Sequence, residues 1–341
     1  MRAPGRRLAV PLAAALAAAL ALTLGTLGTS PEADAAPNPQ VDCANFTSML
    51  APGSLAARTM ASYCGVVPAV ASAGPMPVIH EAGPDLAALE REIRSAVDDY
   101  WVDGNYAVAV TDLQTGETIE VNGNRRQLAG CSINFFVMLQ TMIERERGAL
   151  TAAETDTLLR TTVHFSDPVA ARQLYTMIGD GSLRAGVKET RDLVRALGLK
   201  STVLDHAPLF LDAASLGSSD NFLTAADANR ALAQLWWGGV LPEASRDKLL
   251  DTMSDVKPGL NYLTGYGTGG VVSHKNGFFP VPAGGWWVDN DIGLVRFERD
   301  GVTYAYAISF LSERVPEKYG SLSLFRPISE LVWDYFDRTY P

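Results

Sequence analysis

The chain has 341 residues, of which 47% are hydrophobic and 19% charged, a balance that excludes a disordered or collagen-like protein. Its 38 acidic residues exceed its 28 Lys and Arg, giving a net charge of −10. There is thus no basic surplus to meet a phosphate backbone, which argues against nucleic-acid binding. Three cysteines are too few for a disulfide scaffold or a four-cysteine zinc site.

Arg2, Arg6 and Arg7 precede an apolar run from Leu8 to about Leu27, and small residues then lead to Ala33-Asp34-Ala35. A charged start, an apolar middle and an A-x-A end predict a secretory signal peptide over residues 1–35 and a secreted, extracellular mature chain. An uncleaved membrane anchor is the alternative, because the run nearly reaches spanning length. The Arg6-Arg7 pair leaves general and twin-arginine export both open. No later segment is long and apolar enough to span a membrane.

Residues 36–84 read as a short N-terminal module and linker. Cys43 and Cys64 flank a segment long enough for a helical hairpin, and an exported chain can oxidise them. Their pairing is expected, with a stabilisation of about 3 kcal/mol for a loop of this size. Cys131 lies in an apolar stretch and is expected to be a buried free thiol. Residues 66–84 carry four prolines and mark the linker.

Regular patterning starts at residue 85. Leu86, Leu89, Ile93, Val97 and Tyr100 recur at helical steps and predict a helix over 85–101. Residues 106–111 alternate and 118–121 follow a Thr115-Gly116 turn, which predicts a hairpin. Helices are expected at 132–147, 152–162, 168–178, 183–197, 224–236 and 243–254. The stretch 198–222 is rich in loop residues and long enough to suspect function. Strands are expected at 270–275, 286–296 and 302–311, and a last helix at 326–337. Strands from both ends of the chain must pair to cover their edges. The expectation is therefore an α+β, two-lobed domain over 85–341: a five-stranded antiparallel sheet with the terminal helices, plus an all-helical lobe over 130–255. A cleft between such lobes is a usual ligand site.

Three short stretches fall in an order with chemical meaning: Cys131-Ser132-Ile133-Asn134-Phe135, Ser166-Asp167-Pro168 and Lys275-Asn276-Gly277. With the helix and strand order they resemble the serine β-lactamase and penicillin-binding family, whose signature is S-x-x-K, S-D-N and K-T-G. The first stretch looks like the C-S-T-F-K of some class A members. The resemblance implies a β-lactamase-like fold, Ser132, Ser166 and Lys275 as catalytic candidates, and Lys275, Asn276 and Gly277 as the ligand-binding strand. It implies a cell-wall peptide or a β-lactam-like small molecule as partner, and no cofactor or metal.

All three motifs are altered. In the resembling family the S-x-x-K lysine lies one helical turn past the serine and takes its proton; a hydroxyl without such a base is a poor nucleophile. Counted from Ser132, the corresponding positions hold Phe135 and Phe136, and the first lysine of the chain is Lys188. Pro168 stands where the family has Asn, and Asn276 where it has Thr. The loop pattern L-D-R-x-E-P is matched by Leu204-Asp205-His206-Ala207-Pro208, without its glutamate. His206 is the candidate replacement base, since imidazole titrates near neutrality. A thiol needs less activation than a hydroxyl, yet Cys131 lies among apolar residues with no charged neighbour in sequence and reads as structural. His80, His164 and His274 lack metal-ligand spacing, and Trp236, Trp237, Trp286 and Trp287 read as packing.

The expected function is a secreted family member with an impaired site that binds a ligand in its cleft. The alternative is an active serine hydrolase using Ser132, with Lys275 acting through Ser166. A third reading, outside enzymology, gives binding to the Cys43–Cys64 module alone.

Overall fold

The computed structural model describes residues 85–340 apart from Phe210, Pro282 and Ala283. The expected signal segment, the 36–84 module and the Cys43–Cys64 pairing lie outside the described residues.

Helix α1 (Leu86–Asp98) starts at Asp85, whose carboxylate accepts from the Ala87 amide at 3.0 Å. Its stripe of Leu86, Leu89, Ile93 and Val97 is buried. Strands β1 (Asn105–Asp112) and β2 (Thr118–Val121) form the expected hairpin. Near the other end of the chain, β5 (Val271–Val281), β6 (Trp286–Arg299) and β7 (Val302–Glu313) run antiparallel. The two groups join where β1 pairs with β7, from Asn105 opposite Glu313 to Asp112 opposite Tyr306. The sheet order is β2-β1-β7-β6-β5.

Alternation sorts the side chains onto two faces. Tyr106, Val108 and Val110 of β1 pack with Tyr306, Ile308 and Phe310 of β7 against α1 and the last helix, α8 (Leu322–Thr339). Ala107, Ala109, Ala305 and Ala307 face the other way, where small side chains let the helical lobe come close. The last helix, expected over 326–337, begins four residues earlier at Leu322 and holds Pro327 in its second turn. There a proline forfeits only one backbone bond.

β5 runs well beyond the expected 270–275 because it is an edge strand. Gly277 opposite Asn290 and Pro280 opposite Trp287 are tolerated where one side of the backbone has no partner strand.

The second lobe is built on α2 (Asn134–Glu146), preceded by a 3-10 turn at Gly130–Ile133. Phe135, Phe136, Val137, Met138 and Leu139 are all fully buried, so α2 is apolar around its circumference, as a central helix must be. Helices α3 (Ala152–His164), α4 (Pro168–Ile178), α5 (Leu183–Ala196), α6 (Ala225–Trp236) and α7 (Glu243–Ser254) complete the lobe. Asn229 of α6 fastens it to the sheet. Its amide donates to Thr111 Oγ1 and the Ala307 carbonyl, and its oxygen accepts from Ser309. A small ribbon absent from the sequence expectation, β3 (Gln127–Leu128) with β4 (Phe222–Leu223), ties the approach to α2 to the end of the long loop.

Candidate active site

The end of α3 and the start of α4 carry Ser166. Its φ of +52° lies in the left-handed region, which a non-glycine residue adopts only when its surroundings hold it there. Asp167 caps α4, accepting from the Val169 amide at 2.7 Å and the Ala170 amide at 2.9 Å, and Pro168 fills the first helical position. Capping thus falls to Asp167, which leaves the Ser166 hydroxyl for another partner.

That partner is Lys275 on β5. Its Nζ donates to Ser166 Oγ at 2.6 Å and to the Asn276 carbonyl at 2.7 Å. Lys275 is only 1% exposed. Burial pushes the pKa of its ammonium down, and the electrostatic pull of Cys131 and Asp291 offsets part of that. Asp291 is itself fixed by Thr264, through both amide and hydroxyl, and by His274 Nδ1 at 2.8 Å.

Asn276 donates from Nδ2 to the Leu260 carbonyl at 3.0 Å, so its amide is engaged inside the protein. Gly277 is needed for contact: a Cβ there would lie 2.7 Å from the Ala129 oxygen, 2.8 Å from the Ser132 nitrogen and 3.1 Å from the Cys131 nitrogen. The 3-10 turn is therefore seated directly on β5. Asn290 of β6 holds it from below, donating to the carbonyls of Leu128 and Ala129.

The turn is rotated relative to the sequence expectation. Ser132 is fully buried and its Oγ donates to the Ala129 carbonyl at 2.5 Å. Cys131, expected to be buried, is a partly exposed free thiol within electrostatic reach of Lys275. Gly130, at φ +54°, makes the bend that sets this phase. Three residues past Cys131 comes Asn134, fully buried, with neither side-chain atom hydrogen-bonded among the described residues. Counted from Cys131, the stretch Cys131-Ser132-Ile133-Asn134 has the S-x-x-K spacing, with thiol for hydroxyl and amide for amine. No lysine marks this register in the sequence; the polar Asn134 amid apolar neighbours is the available signal. Phe135 and Phe136 belong to the core, their rings edge to face at 5.3 Å.

His206 of the long loop is 8% exposed and held at both ring nitrogens, Nδ1 by the Ala207 carbonyl at 2.7 Å and Nε2 by Asp220 at 3.1 Å. Burial works to lower its pKa, but the bonds to Asp220 and Ala207 and the charges of Asp220 and Asp205 outweigh it and raise the pKa. Asp205 itself is tied to Arg191 and Ser219.

A five-stranded antiparallel sheet beneath an all-helical lobe, with a serine from the lobe bonded to a lysine on the edge strand, defines the β-lactamase-like class of fold. The sequence profile of the Beta-lactamase enzyme family matches residues 151–336, and the chain belongs to that family. Solved structures agree on the fold. PBP-A superposes with a TM-score of 0.60 at 19% identity, over 75% of this chain and 98% of its own. The TLA-3 extended-spectrum β-lactamase gives 0.62 at 19%, over 74% and 99%. A class A β-lactamase representative from Bacteroides cellulosilyticus DSM 14838 gives 0.61 at 20%, over 74% and 98%. PBP-A has also been solved as an acyl-enzyme complex with penicillin G, at 19% identity and a TM-score of 0.59, over 74% of this chain and 97% of that one. No curated protein matches the chain in a sequence comparison.

Proposed function

We propose that the chain is an exported member of the Beta-lactamase enzyme family whose serine hydrolysis is impaired and whose cleft binds a cell-wall peptide or a β-lactam-like molecule. Residues 1–35 serve as its cleaved leader, and Cys43 pairs with Cys64 in the exported chain. The observation that carries the reading is the start of α2. Asn134 lies one turn from Cys131, and Phe135 lies one turn from Ser132, so no side chain there accepts a proton. Loss of a general base costs about 10²–10⁴-fold in rate. The ligand side of the cleft is better kept. The buried Lys275 ammonium, held by Ser166, is a fixed positive charge suited to a ligand carboxylate.

The alternative of hydrolysis through Ser132 has half of its relay in the Ser166–Lys275 bond. Its other half is lacking, because the Ser132 hydroxyl is engaged with the Ala129 carbonyl.

The test is thermal unfolding with and without benzylpenicillin or a cell-wall stem peptide, followed by chromatography of the ligand. A raised Tm without catalytic turnover of the ligand is expected. Catalytic consumption of the ligand, lost in Ser132→Ala, would refute the impairment.

A further inference from the structure

How the cleft holds its ligand is a further question, and three features of the 3-10 turn bear on it. Cys131 carries the side chain of that turn that is partly open to solvent, while Ser132 and Ile133 are buried. Its backbone rests on the Gly277 edge of β5, and Lys275, which holds Ser166, lies within electrostatic reach of it. Asn134, one turn on, brings a buried amide with no protein partner to the place where the family's base would stand.

We infer that Cys131 is the nucleophile of this cleft and captures a β-lactam-type acyl donor as a lasting thioester. The inference rests on the proposed function and specifies how its ligand is held. The two changes in the motif compensate each other. A hydroxyl beside an amide has nothing to deprotonate it, whereas a few per cent of an ordinary thiol is already thiolate at neutral pH and thiolate is a strong nucleophile. In the step, the Cys131 sulfur adds to the lactam carbonyl carbon and the ring C–N bond breaks. The thiol proton ends on the leaving nitrogen, passed through the Ser166 hydroxyl that Lys275 holds. The nitrogen stays attached through the opened ring, so no group departs and no oxidant or reductant is needed. The Asn134 amide can hydrogen-bond the bound acyl group but cannot take a proton from water.

The thioester then persists. The loop has no glutamate after Asp205, and His206 is engaged at both ring nitrogens, by the Ala207 carbonyl and by Asp220. Neither position offers a free base to activate a water for hydrolysis.

The experiment is intact-protein and peptide mass spectrometry of the full chain after incubation with benzylpenicillin at pH 7. One added penicillin mass is expected, mapped to Cys131 rather than Cys43 or Cys64, and released by neutral hydroxylamine as thioesters are. It should survive Ser132→Ala and vanish in Cys131→Ala. If the latter does not fold, peptide mapping and hydroxylamine release on the unaltered chain decide. An adduct on Ser132, or none on folded protein, overturns the inference. Absence of an adduct together with a raised Tm in benzylpenicillin sinks covalent capture alone and leaves the binding reading standing, whereas multiple turnovers sink that reading itself.

Discussion

Lys275 Nζ and Ser166 Oγ lie 2.6 Å apart and join the edge strand of the sheet to the start of a helix in the other lobe, 109 positions away in sequence. Lys275 is buried and Ser166 adopts a left-handed backbone, so the contact is held from both sides. Replacing Lys275 by Met removes the cleft's fixed cation and fills its volume with apolar atoms. A charge-assisted bond contributes about 1.5–3 kcal/mol, so Kd for a carboxylate ligand should rise about 10–100-fold. Stability should fall as well, because the Ser166 hydroxyl and the Asn276 carbonyl lose their buried donor and Asp291 loses a nearby charge. Calorimetric titration beside thermal unfolding checks both parts.

Gly277→Ala should loosen the 3-10 turn. The new Cβ would meet the Ala129 oxygen and the Ser132 nitrogen, both backbone atoms that cannot swing aside. Overpacking of this kind costs about 1–3 kcal/mol. Urea unfolding should show the loss at an unchanged m-value.

Asp289 gives the fold a pH dependence of definite sign. Burial pushes its pKa up to about 6, although Ser321 and Tyr262 donate to it. A carboxylate with a raised folded pKa favours folding when protonated. That contribution is complete below the unfolded value near 3.9 and is lost as pH rises through about 6. Asp289→Asn should therefore raise Tm by roughly 5 °C above pH 7. The gain should shrink steadily on acidification and be gone near pH 4. Scanning calorimetry of both proteins across that range measures the difference.

His206 acts in the same direction on the long loop. Its raised pKa means that protonation favours the folded loop, fully below about 6.5 and less as pH climbs past the raised value. Hydrogen exchange over residues 204–221 should speed up with pH beyond its intrinsic pH dependence, and Asp220→Asn should abolish that excess.

Much of this was legible in the sequence. The stripe of Leu86, Leu89, Ile93 and Val97 and the alternation of β1 are one-dimensional signals of burial, and both held. Lys275 and Ser166 could be matched because each sits in a short motif, and the motifs fall in the right order and spacing along the chain. The extension of β5 was hidden because Gly277 and Pro280 read as breakers until the strand's place at the sheet edge is known. The phase of the 3-10 turn was hidden for a local reason. A single left-handed residue, Gly130, rotates the turn so that Cys131 faces out and Ser132 in, and no periodicity shorter than a full helix reports that rotation. The β3–β4 ribbon has two residues a side, too few to leave a pattern.

Steady-state hydrolysis of a chromogenic cephalosporin by the purified full chain tests the central claim most directly. The account predicts release no faster than buffer once one equivalent of protein has reacted, with the same trace from Ser132→Ala. Sustained turnover many times the protein concentration, abolished by Ser132→Ala, would contradict it.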